Sequence, residues 1–125
     1  MIEPRFLLDT NILVYLIAGA SPHLRGKVEE HPPGSIVTST LCVAEAKFGI
    51  VANGQSASLD VLLTAIEPRP FDVAAAERFP EVPFRRGKLD RFIAAHALAL
   101  GVTLVTNNER DFADIPGLVV ENWTR

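Results

Sequence analysis

Residues 5–13 read Arg5-Phe6-Leu7-Leu8-Asp9-Thr10-Asn11-Ile12-Leu13. A short apolar run meets a polar corner and then an apolar stretch that continues to about Ile17. A run without polar alternation is what a strand buried on both faces requires, so this stretch reads as strand, corner, helix. The pattern repeats along the chain. Ser21 to Glu30 is a polar-faced helix closed by Pro32-Pro33-Gly34, and Ser35-Ile36-Val37-Thr38 is a second buried strand. Helices follow from about Ser39 to Val51, ended by Asn53-Gly54, and from Ser58 to about Ala65. Ile66-Glu67-Pro68-Arg69 is a short strand bounded by prolines, and Asp72 caps a short helix running to Phe79. Pro80 and Pro83 break the chain, and a helix from about Lys88 to Leu100 is stopped by Gly101. Val102–Val105 is strand, Thr106–Phe112 a polar turn and Leu118–Val120 a last strand. Strands alternating with helices over short links predict a three-layer α/β/α sandwich around a mostly parallel sheet.

With 125 residues, 48% of them apolar, the chain is expected to form one domain, 1–125, with an ordinary core. A lone Cys42 in an apolar run allows neither an internal disulfide nor a cysteine zinc site and fits a small core residue in a reducing compartment. A net charge of −3 argues against gripping nucleic acid by bulk positive charge. Ile12–Ala20 lies where a secretory core would lie, but Glu3 offsets Arg5 ahead of it, and Asp9, Thr10 and Asn11 interrupt the apolar run. No apolar run approaches the ~20 residues that span a bilayer. The expectation is a complete, cytoplasmic protein without a membrane segment.

Four acids fall where a parallel sheet binds its ligands, just beyond the carboxyl ends of the strands. Asp9 follows the first strand, Glu45 lies on the helix after the second, Asp90 opens the helix leading into Val102–Val105, and Asp111 lies in the loop after it. Glu45 falls between Leu41, Phe48 and Ala52 on a helical projection and is expected to face inward, where a carboxylate needs a partner. Asp9 can serve as a helix cap at the same corner, and Asp90 as a favourable first-turn charge. Thr106 and Asn107 could orient a ligand or a water there. Carboxylates that converge repel one another, and hard divalent cations such as Mg²⁺ or Mn²⁺ resolve the repulsion while activating water for phosphodiester hydrolysis. No glycine-rich phosphate loop, nucleophile elbow or histidine pair at metal-binding spacing offers a rival chemistry.

Arg85, Arg86, Lys88 and Arg91 surround the start of the Asp90 helix, where the helix dipole disfavours positive charge. That placement favours contact with a phosphate backbone. His96 shares its helix face with Phe92, Ile93 and Leu100 and is expected to be a hydrogen-bonded core histidine. His23 and His31 are expected at the surface.

At these residues the sequence resembles the PIN-domain family, and within it the VapC-type ribonuclease toxins of toxin–antitoxin pairs. Leu7-Leu8-Asp9-Thr10-Asn11-Ile12-Leu13 resembles the opening motif, and Ala44-Glu45 within Ser39–Gly49 the second acidic position. Gly87-Lys88-Leu89-Asp90 before Ile93-Ala94-Ala95-His96-Ala97-Leu98 resembles the third. Val105-Thr106-Asn107-Asn108, Asp111-Phe112, Pro116-Gly117-Leu118 and Glu121-Asn122-Trp123 resemble the C-terminal end. The resemblance implies a metal-dependent endoribonuclease in which Asp9, Glu45, Asp90 and Asp111 hold Mg²⁺ or Mn²⁺, assisted by Asn107 or Thr106. It also implies homodimerisation and silencing by a small VapB-like antitoxin that occupies the active-site groove. One departure is that Phe71–Asp90 is shorter than usual for these toxins by about two helical turns.

Three other readings compete. A haloacid-dehalogenase-type phosphohydrolase would use Asp9 as nucleophile with a second acid two positions on, where this chain has Asn11. A receiver domain would carry an acidic pair after the first strand and its acceptor Asp after the third, neither of which is visible. A catalytically inactive PIN-like binding module would not need all four acids.

Overall fold

The computed structural model describes residues 2–51, 54–86 and 88–125; Ala52, Asn53 and Gly87, all named above, lie outside them. Strand β1 (Phe6–Leu8) is buried along its whole length, as its unbroken apolar run requires. Helix α1 (Thr10–Ala18) begins one residue later, with Asp9 as its N-cap. Then come α2 (Pro22–Glu29), β2 (Ile36–Ser39), α3 (Thr40–Val51), α4 (Ser56–Ala65), β3 (Glu67–Arg69) and α5 (Val73–Arg78). A 3₁₀ turn at Phe79–Glu81 precedes α6 (Asp90–Leu100) and β4 (Thr103–Val105), and a second at Glu109–Phe112 precedes β5 (Val120–Glu121).

The strands lie in the order β3-β2-β1-β4-β5, every neighbouring pair parallel. Register brings Leu8 opposite Thr38 on one side and Val105 on the other. After β1 the chain builds outward through β2 and β3, then returns across β1 to add β4 and β5. Right-handed crossovers going in opposite directions place their helices on opposite faces of the sheet. Accordingly α1 packs on α3 and α4, while α5 packs on α6. The three layers expected from the sequence are thus present. The direction reverses between β1 and β4, which opens a crevice beyond their carboxyl ends.

Leu7, Leu8, Leu104 and Val105 are fully buried in the two strands that border this crevice. Burying each such side chain contributes about 2 kcal/mol, so the crevice rests on a strongly held part of the sheet. Helix α6 is buried from Ile93 through Leu98, and its alanines at 94, 95 and 97 leave room for close approach to the sheet. It ends where Gly101 adopts φ 68° and donates to the carbonyls of Ala97 and Leu98, a conformation that an L side chain would strain. Cys42 is the small core residue expected, and burial pushes its thiol up to about 12.

Several expectations need correction. The fourth helix begins at Ser56 rather than Ser58, and α6 begins at Asp90 rather than Lys88. The last strand is Val120–Glu121, not Leu118–Val120, because pairing with β4 starts at Val120 opposite Leu104. His31 is not a free surface residue. Its ring stacks on that of Trp123 at 5.1 Å and lies 4.6 Å from Phe6, fastening the C-terminal end to β1.

Candidate active site

The crevice between β1 and β4 holds a cleft of about 310 Å³, and Asp9, Glu45, Asp90 and Asp111 all line it. Each acid arrives by a different route. Asp9 is carried by the end of β1 and tied down twice, its amide donating to the Val105 carbonyl at 3.1 Å and its Oδ1 accepting from the Ile12 amide at 3.1 Å. It therefore caps α1 and faces the cleft at once. Only 7% exposed, it has its pKa raised to about 6, chiefly by burial, with the Glu45 charge adding a smaller push. The Thr106 hydroxyl and the Ile12 and Asn11 amides pull it part of the way back.

Asp90 stands on the first turn of α6, half-buried, and its Oδ1 is fully enclosed without a hydrogen-bond partner. A buried carboxylate oxygen left unpaired is costly and points to a ligand. Glu45 does not face inward, as its helical projection led us to expect. It is exposed, and the inward side of α3 is formed by Cys42, Ala46 and Ile50, while Phe48 is 89% exposed. The alternation of polar and apolar residues on α3 is too weak for a projection to choose the buried side. Glu45 still reaches the cleft, where it accepts a hydrogen bond from the Thr10 hydroxyl. Asp111, in the turn after β4, accepts from the Asn108 side chain.

Thr106 and Asn107 behave differently from each other. Thr106 is fully buried and its hydroxyl accepts the Asn108 amide at 3.1 Å, beside Asp9. Asn107 does not line the cleft; it donates to the Tyr15 hydroxyl at 2.9 Å. Asn108, and not Asn107, lines the cleft. Its spacing three residues before Asp111, at the start of a 3₁₀ turn, was the available signal. Thr10 and Asn11 also line the cleft and were not assigned to it from the sequence.

The basic cluster divides. Lys88 is exposed and lines the cleft, and Arg86 is exposed. Arg85 is exposed too, but pairs with Asp114 at 3.2 Å. Arg91 is not a surface cation. It is 1% exposed, and its guanidinium bonds Asp114, the Asp111 carbonyl and the Pro83 carbonyl. Its place one residue after Asp90 turns it away from solvent toward the Asp111–Asp114 turn. His96 is the core histidine expected, its Nδ1 2.9 Å from the Ser39 hydroxyl at the end of β2. Burial lowers its pKa, against a partial rise from Asp72, and Arg69 lowers it further.

Among the described residues, no three of the His, Cys, Asp and Glu side chains are drawn together tightly enough to form a ready-made metal site. The cleft lining nevertheless suits a hard divalent cation. It offers carboxylate, hydroxyl and amide oxygens from Asp9, Thr10, Asn11, Glu45, Asp90, Asn108 and Asp111, no histidine or cysteine, and the orphaned oxygen of Asp90.

A family model for the PIN domain matches residues 6–118. The chain belongs to the PIN-domain family. Among relatives of this PIN domain, Ribonuclease VapC2 of Rickettsia felis is 30% identical over 132 residues, covering 96% of this chain and 98% of the relative. The tRNA(fMet)-specific endonuclease VapC of Salmonella typhimurium is 27% identical, covering 95% of this chain and 98% of its own. In solved structures, the PIN domain superposes on VapBC2 from Rickettsia felis bound to a promoter DNA fragment, with a TM-score of 0.83 at 30% identity over 94% of this chain and 98% of the other. It also superposes on DNA-bound VapBC from Salmonella typhimurium, with a TM-score of 0.85 at 26% identity over 96% and 98%.

Proposed function

We propose that the chain is a metal-dependent endoribonuclease, the toxin of a toxin–antitoxin pair. The observation that carries this reading is the meeting of Asp9, Glu45, Asp90 and Asp111 in one cleft at the strand-order reversal. It is supported by end-to-end similarity to proteins named ribonucleases. Asp9 and Asp90, the more enclosed acids, would hold Mg²⁺ or Mn²⁺ from the floor, and Glu45 and Asp111 from the rim. A bound cation of this kind supplies activation of water and stabilisation of the departing oxygen in phosphodiester hydrolysis. Glu45, exposed and oriented by Thr10, has the room to receive a proton from the attacking water. Lys88 reaches into the cleft where a non-bridging phosphate oxygen would lie, and Arg85 and Arg86 extend the positive charge along the chain. Phe84, 73% exposed beside them in sequence, offers a face on which a base can stack.

The phosphohydrolase reading needs an acid at residue 11, and the structure has Asn11 lining the cleft there. An inactive binding module has no use for an unpaired buried Asp90 oxygen. The partner we assign is a small VapB-like antitoxin, in keeping with the VapBC complexes among the structural relatives; a homodimer in the cytoplasm is the resting assembly implied by the family resemblance alone. No helix among the described residues is long and apolar enough to cross a membrane. Incubating the purified protein with RNA tests the activity: cleavage should require Mg²⁺ or Mn²⁺ and cease in EDTA. Undiminished cutting in EDTA overturns the metal, and no cutting under any divalent cation overturns the nuclease.

A further inference from the structure

We infer that Arg91 is a positioning residue, holding Asp111 at its place in the cleft opposite Asp90 through a clamp completed by Asp114. The inference rests on the nuclease reading for its consequence but on geometry for its substance. Arg91 is the largest of the fully buried side chains, and its guanidinium joins three separate stretches of chain. Nη2 donates to the Asp111 carbonyl at 2.6 Å and to Asp114 Oδ1 at 3.0 Å. Nη1 donates to Asp114 Oδ2 and to the Pro83 carbonyl, both at 3.3 Å. The two-pronged grip on Asp114 is the fork geometry that only arginine provides, and a lysine cannot make both prongs and also reach the two carbonyls.

The consequence follows from where this residue is placed. Arg91 is fixed on α6 directly after Asp90, so whatever it grips is located relative to Asp90. It grips the backbone of Asp111 itself. Asp111 otherwise belongs to a short 3₁₀ turn, and its side chain is restrained by Asn108, a neighbour within the same turn. Without the clamp, the turn as a whole can shift against α6 while its internal bonds stay intact. Outer partners that orient ligand residues in this way typically govern 10–100-fold in metal affinity or activity.

The test uses Asp114→Asn and Arg91→Lys. Asp114→Asn leaves the two carbonyl bonds of Arg91 in place and so preserves the fold, while Arg91→Lys keeps the charge and removes the fork. Mn²⁺ binding to the folded proteins is titrated by electron paramagnetic resonance, RNA cleavage is resolved into kcat and KM, and amide hydrogen exchange is followed across residues 109–115. We expect Mn²⁺ affinity and kcat each to fall roughly tenfold in Asp114→Asn with KM unchanged, and further in Arg91→Lys. Exchange of the 109–115 amides should quicken while that of β1 and β4 stays as in the wild type. Wild-type Mn²⁺ affinity and exchange in both variants overturns the clamp. A wild type that neither binds Mn²⁺ nor cuts RNA overturns the nuclease reading instead, and the exchange comparison still decides whether Arg91 locates the Asp111 turn.

Discussion

Asp9 and Asp114 sit in adjoining parts of the molecule under opposite conditions. Asp9 lies in the cleft, buried, with another carboxylate as its charged neighbour, and its pKa is pushed up to about 6. Asp114 lies in the clamp, open to solvent and gripped by Arg91 and Arg85, which hold its pKa below the ordinary value. Two things separate them: burial, which is the chief cause of the rise at Asp9, and the paired guanidinium, which is the chief cause of the fall at Asp114. The clamp carries its own positive charge in covalent form. The cleft sets four acids against a single lining lysine, Lys88, and leaves most of the balancing charge to be brought in. A cluster of acids is read as functional when the chain declines to neutralise it, and as structural when arginines are built around it.

The sharpest way to break this contrast is to remove a cleft acid. Asp90→Asn should reduce RNA cleavage by roughly 100-fold or more, at or beyond the top of the range for losing a residue that only orients a ligand, while melting within a few degrees of the wild type. A variant that cuts normally would make the orphaned Asp90 oxygen a structural accident. Removing the clamp's charge should do the reverse and strike stability first. Arg91→Met leaves Asp114 with Arg85 alone and deprives two part-buried carbonyls of their donor, for a loss of about 2–3 kcal/mol, below the range for a fully buried pair because Asp114 faces water. Chemical denaturation of the two proteins measures it, and a loss below ~0.5 kcal/mol would show the guanidinium to be ordinary surface chemistry in a buried place.

The exposed cations sharpen the comparison further, since Lys88 lines the cleft and Arg86, two residues before it, is open to solvent. Changing Arg86 and Lys88 together to Ala should weaken binding of uncleaved RNA and flatten the salt dependence by about 0.7 for each phosphate no longer neutralised. Adding Arg91 to the set should change stability and leave the slope where the double variant put it. An unchanged slope in the double variant returns both residues to ordinary surface charge.

The sequence made the sheet and the four acids legible because both follow from short-range rules. Unbroken apolar runs mark strands buried on both faces, and the strand ends mark the ligand edge, so Asp9, Glu45, Asp90 and Asp111 could be placed together before any coordinates. What it hid depends on which way a side chain turns. Arg91 and Arg86 look alike in a basic stretch, and only the position of Asp114, 23 residues further on, decides that one is buried and the other exposed. Asn107 and Asn108 are neighbours, and the twist of the turn after β4 gives one to Tyr15 and the other to Asp111. Glu45 misled in the opposite sense, because α3 carries apolar residues on its solvent side, Phe48 among them.

The smallest effect tests the electrostatic claim about Asp9 most directly. A carboxyl whose folded pKa stands near 6, above an ordinary 3.8, favours the fold while protonated. That contribution is complete below pH ~4 and is lost as pH rises through 6. The full displacement corresponds to at most ~3 kcal/mol, and relaxation with solvent entry reduces it to about 1 kcal/mol. Asp9→Asn removes the charge and keeps the cap, since Asn serves at the N-terminus of a helix as well as Asp does. In EDTA the variant should therefore match the wild type at pH 4 and exceed it by about 1 kcal/mol, a few degrees in Tm, at pH 7. His96 works in the other direction. Its lowered pKa means that stability is complete above ~6.5 and declines as pH falls, but it is common to both proteins and cancels in the difference between them. Millimolar Mg²⁺ should then stabilise the wild type by mass action and the variant far less, closing or reversing the gap at pH 7. A gap that does not vary with pH would mean that Asp9 acts through shape rather than charge, and a variant less stable at every pH would mean that its hydrogen bonds outweigh its burial.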